Sequence, residues 1–178
     1  MATAEERLKD ELDELMRFLL RSEPSLATSA SATLTKALVL AGASEIEVDV
    51  QQHIVDYYVE ISGEDAAHAA AFVEKKAVKR QYHTYFDWDK PSANPFFALF
   101  GPVFSVRLKA QMKADEEFAT SVRAFLQIGS LRNQIVHQNF AAFTLELTPD
   151  EVHAMCVSAR LFVDRLPAIL RDRYPEEE

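Results

Sequence analysis

"LRNQIVHQNF", residues 131–140, closes a long apolar segment with an arginine, an asparagine and a histidine inside six positions. On a helical wheel at roughly 100° per residue, Phe118, Val122, Phe125, Gly129 and Val136 fall on one side. Leu131, Ile128 and Ile135 widen that apolar arc. Arg123, Gln127, Ser130 and Gln134 share the opposite strip, which reads as the wet face. Arg132 does not join them and falls in the apolar sector instead. Asn133 and His137, four residues apart and so neighbours on a helix, lie on the border. An arginine cannot shed its proton, and burying its charge unpaired is strongly unfavourable. Arg132 must therefore snorkel, pair with a carboxylate, or face a wet cleft or a partner chain. The ordinary explanation is a paired core arginine, with Glu45 or Glu47 as its mate. The functional one is a fold built around a site.

Working outward, the same helical periodicity recurs along most of the chain. Leu8, Leu12, Leu15 and Leu19 give an amphipathic helix over 4–21. "SEPSLATSAS" (22–31) reads as a break. A long helix then spans about Thr33 to Ile61, with Val39, Ala43, Ile46, Val50, Ile54 and Tyr57 as its inner stripe, and "SGED" (62–65) ends it. A third helix runs from Asp65 to about Tyr82. "YHTYFDWDKPSANP" (82–95) is an irregular aromatic link, followed by short helices opened by Asn94-Pro95 and Gly101-Pro102. "ADEEF" (114–118) starts the helix carrying the opening stretch. "FAAFTLEL" (140–147) is extended or crosses the core as a loop. Thr148 and Glu151 form a capping box for a last helix to about Arg171, and "YPEEE" frays. Four glycines in 178 residues suit long helices better than a turn-rich β protein. The expected architecture is all-α: one domain over 1–178, an up-and-down helical bundle with an irregular aromatic insertion.

The chain carries 28 acids against 19 bases, a net charge of −9, which argues against generic nucleic-acid binding. The balance reverses locally. Residues 73–137 hold ten bases against six acids, and this basic region contains the opening stretch. Cys156, the single cysteine, excludes an internal disulfide and reads as a small core residue. The first twenty residues are charged and helix-periodic, unlike a signal peptide. "PFFALFGPVFSV" (95–106) is too short to span a bilayer. A cytoplasmic protein with no membrane partner is expected. His53, His68, His83 and His153 show no metal-ligand spacing, and no phosphate loop, HExxH or GxSxG pattern is present. Neither a metal nor another cofactor is expected.

Arg132-Asn133-Gln134-Ile135-Val136-His137 has the form R-N-x-x-x-H, which resembles the signature of the HEPN superfamily. "LTKALVLAGASEIEVDVQQHIVDYY" (34–58) resembles the long helix with an internal acidic residue that precedes that signature. The text from "NPFFALFGPVF" to "LRNQIVHQNFAAFTLELTPDEV" is similar to the MAE-like and RiboL-PSP-like branches. The resemblance covers about residues 30–168. It implies an all-α fold and, for many members, metal-independent endoribonuclease activity in toxin–antitoxin and defence systems. Other members are non-catalytic interaction or nucleotide-binding scaffolds, and that alternative stays open here.

The residue types suit RNA cleavage by the strand's own 2′-hydroxyl. That reaction needs a base for the hydroxyl proton, a role for His137. It also needs a cation for the developing phosphorane charge, a role for Arg132. Asn133 would orient the imidazole or the phosphate, and Glu47 would pair with Arg132 or join the site. On a straight helix Arg132 and His137 stand roughly 140° apart, too divergent for one helix surface. A second copy of the motif across a two-fold axis would resolve this, so a homodimer acting on RNA is expected. An antitoxin or a nucleotidyltransferase is the further partner the resemblance implies.

Overall fold

Side-chain chemistry at the helix starts accounts for most of the element boundaries. The computed structural model describes residues 3–79 and 81–172. Helix α1 (Ala4–Ser22) begins at a capping box formed by Thr3 and Glu6, and α7 (Pro149–Arg171) at the expected box of Thr148 and Glu151. Between them lie α2 (Pro24–Ile61), α3 (Ala66–Phe72), α4 (Asn94–Ala98), α5 (Pro102–Ala114) and α6 (Glu116–His137). Asp115 caps α6 by accepting from the Phe118 amide. Gly101, at φ 97°, makes the turn into α5 that a side chain would strain. The protein is an all-α bundle, as expected.

Three expectations need correction. The serine-rich stretch 22–31 is helical except for Glu23 at the junction: α2 starts at Pro24, whose missing N–H is harmless at a first helical position. The third helix does not hold α geometry to Tyr82. It gives way to a π-helical turn over Val73–Val78, where two buried valines five residues apart match i→i+5 bonding. The 140–147 segment does not cross the core. It turns at 140–142 and then runs along the surface, with Phe143, Leu145 and Leu147 half-buried against the core and Thr144 and Glu146 exposed. The "YPEEE" tail lies outside the described residues.

Helices α1, α2, α6 and α7 form the bundle. Glu45 of α2 accepts from the amides of Ala4 (2.6 Å) and Glu5 (3.1 Å), which sets α1 antiparallel to α2. Arg160 of α7 reaches both Asp49 and Glu45, and Arg171 bonds Glu60 at 2.6 Å, so α2 and α7 run parallel. By length and composition it is α2, rather than 95–106, that could cross a bilayer. Its inner stripe of Leu38, Val39, Ala43, Ile46, Val50 and Ile54 is instead buried in the core. Lys36 of α2, 6% exposed, donates to the Phe140 carbonyl at 2.7 Å and sits 4.9 Å from that ring's centre. It thereby ties down the chain three residues beyond His137 and helps set where α6 ends.

Candidate active site

The last three turns of α6 pack beside the middle of α2, and the aromatic link closes over the gap. Arg132, Asn133 and His137 line the resulting cleft from α6, Glu47 lines it from α2, and Tyr82, His83 and Trp88 line it from the link. Phe125 and Ile128, each 1% exposed, form its apolar floor. The cavity measures about 360 Å³ and opens past His83, Trp88, Asn133 and His137 into an outer groove of about 770 Å³.

All four residues singled out from the sequence therefore face one cavity. The geometry corrects two expectations about them. Glu45 is not the mate of Arg132, because its carboxylate caps α1 and meets Arg160 at 3.6 Å. Glu47 lines the cleft but is not an ion pair with Arg132 either. Its hydrogen bond is with Gln51 Nε2 at 3.0 Å. Among the described residues no carboxylate lies within ion-pairing distance of Arg132. Its guanidinium is half-buried and donates to Asn133 Oδ1 at 3.1 Å. The charge that looked out of place on the helical wheel is thus turned into a wet cleft.

One chain brings Arg132 and His137 to the same cavity despite their divergence on the wheel. The physical reason is side-chain length. Arg132 bends its long stem toward Asn133, which stands one turn before His137 and on the same side of α6. His137 is exposed at the last residue of α6, and among the described residues its imidazole has no hydrogen-bond partner. Asn133 orients the arginine, not the imidazole. Val136, placed in the apolar arc, is 51% exposed because the bundle no longer covers α6 at its end.

Electrostatics follow from this placement. Burial pushes the Tyr82 hydroxyl well above the ordinary tyrosine range; the Glu47 carboxylate adds to the shift and Arg132 opposes it. Tyr82 thus stays protonated, a neutral wall between an acid and a base. Cys156 lies elsewhere, buried against Gly42, with its thiol pushed up to about 12 by burial, so it is a packing residue as expected. Among the described residues no group of three His, Cys, Asp or Glu side chains is clustered as a metal site requires.

Sequence reasoning missed the far wall: Tyr82, His83, Trp88 and the glycine that seats them. A Cβ built on Gly129 would come within 1.9 Å of the Trp88 ring, so this glycine exists for a close approach. Trp88 Nε1 donates to the His83 carbonyl at 3.0 Å, which fixes the two residues together. The signal available was a glycine on the apolar face of an otherwise bulky helix, paired with a nearby aromatic loop. Gly129→Ala should displace Trp88. Alanine favours the helix by about 1 kcal/mol, against ~1–3 kcal/mol for overpacking. Stability should thus fall only slightly, while the emission of Trp88, the chain's single tryptophan, shifts to the red. Unchanged emission would contradict this seating.

A family model described as RiboL-PSP-HEPN matches residues 6–172, extending the expected 30–168 to include α1. No curated protein and no solved structure matches the chain significantly.

Proposed function

The chain belongs to the RiboL-PSP-HEPN family, and from that premise we propose that it is a metal-independent endoribonuclease. The observation that carries this reading is the convergence of Arg132, Asn133 and His137 on one open cleft, with the guanidinium free of any carboxylate among the described residues. A structural arginine in such a setting would be paired. A guanidinium held by an amide oxygen keeps most of its donor fork for a phosphate.

In this mechanism His137 takes the proton of the RNA 2′-hydroxyl, and the 2′-oxygen bonds to phosphorus. Arg132 donates to the non-bridging oxygens as charge builds on them. Asn133 holds the guanidinium in position. The P–O5′ bond breaks, the 5′-oxygen takes a proton from water, and a 2′,3′-cyclic phosphate is left. One chain lines the cleft with all three side chains. The protein acts as a homodimer, with the 123–140 segment at or beside the two-fold interface. An active RNase needs restraint in its own cell, which suits a toxin or defence effector held by an antitoxin or a nucleotidyltransferase partner.

The test is purified protein incubated with single-stranded RNA in excess EDTA. Cleavage that persists with chelator present is the expected result. Intact RNA after complete sampling of structured and unstructured substrates would favour an interaction scaffold of the same fold.

A further inference from the structure

The catalytic trio occupies only one wall of the cleft, and the opposite wall has chemistry of its own. Trp88 and Tyr82, with ring centres 6.0 Å apart, stand over an apolar floor formed by Phe125 and Ile128. About 360 Å³ is at the small end of the ~300–1,000 Å³ typical of ligand pockets, room for a planar heterocycle but not for a folded chain. Glu47 projects into this space with one protein hydrogen bond, from Gln51. An ionised carboxylate only accepts, so a complementary ligand must present donors to it.

The geometry points to a nucleobase pocket that takes one unpaired guanine of an RNA strand, stacked on Trp88 and read on its Watson–Crick edge by Glu47. The strand assignment rests on the ribonuclease reading above; the base assignment rests on the wall opposite the trio. Guanine alone among the four RNA bases offers two adjacent donors, N1–H and the N2 amine, that meet both oxygens of a carboxylate. Uracil offers N3–H between two carbonyls that would repel Glu47. Adenine and cytosine each offer one amine beside an unprotonated ring nitrogen. Unstacked bases are held by aromatic faces and read on that edge in single-stranded RNA recognition. The outer groove shares His83, Trp88, Asn133 and His137 with the pocket, so a base held inside leaves its phosphate at the rim beside the trio.

Trp88 is the chain's one tryptophan, so quenching of its fluorescence reports the pocket without any cleavage. The wild-type protein is titrated with 5′-GMP, IMP, AMP, CMP, UMP and ribose 5-phosphate. GMP is expected to bind about ten-fold or more tighter than AMP, CMP and UMP, as a bidentate edge contact provides. IMP, which lacks the N2 amine, should fall between. Glu47→Gln, checked for an unchanged circular dichroism melt, should bring GMP to the affinity of AMP and leave AMP unchanged. Equal affinity for all four bases, ribose 5-phosphate matching GMP, or a retained GMP preference in Glu47→Gln would each overturn the pocket. Loss of the nuclease reading is distinct: it shows as absent RNA cleavage in EDTA, whatever the nucleotides do.

Discussion

Arg132→Ala and His137→Ala are each expected to lower RNA cleavage by about 10²–10⁴-fold, the range for losing a general base or a charge-stabilising donor. The two variants should differ in little else. His137 is exposed at the end of α6, and its imidazole has no partner among the described residues, so its loss leaves the melting temperature nearly unchanged. Arg132 gives up the hydrogen bond to Asn133, worth about 0.5–1.5 kcal/mol net. Large losses of kcat/KM with small losses of stability are what a reacting pair shows, and a bracing pair shows the reverse. Activity retained in both variants at full purity would remove these residues from the mechanism.

The largest effect on stability is expected at Phe125. It is 1% exposed and meets Phe86 at 4.8 Å, Phe162 at 5.0 Å and Trp88 at 6.2 Å between ring centres. It therefore joins α6 to α7 and to the aromatic link at once. Phe125→Ala should cost about 3–5 kcal/mol, or roughly 6–20 °C in melting temperature for a chain of this size. Because the same ring is the floor of the cleft, residual activity should fall even below the melting transition. A loss under about 1 kcal/mol in urea unfolding would mean that the link is not part of the core.

How much of this was legible in the sequence varies with the kind of signal. The helix start at Thr148 was readable because a cap is local chemistry, set by a side chain three residues from the amide it meets. The α2 start was not, because serine and proline signal a break or a first turn equally well. Arg132, Asn133, His137 and Glu47 stood out as polar groups on or beside apolar stripes, and that anomaly led to the cleft. Whether Glu45 or Glu47 faced Arg132 was undecidable from spacing, since the docking of α1 claims Glu45. The far wall was hidden for a stronger reason. Trp88 and Gly129 lie forty-one residues apart, and nothing periodic links an irregular loop to the helix on which it rests.

The central claim is that the nucleophile is the RNA's own 2′-hydroxyl, activated by His137. The most direct measurement uses a short single-stranded RNA with one mapped cut, incubated with the wild-type protein in EDTA. A second oligonucleotide carries a 2′-deoxy sugar only at the nucleotide whose hydroxyl would attack. The expected result is cleavage of the first to a 2′,3′-cyclic phosphate and no cleavage of the second at that position. Cutting of the deoxy-substituted strand at the same bond, or products ending in a 5′-phosphate, would show that water or another group attacks and would contradict the mechanism.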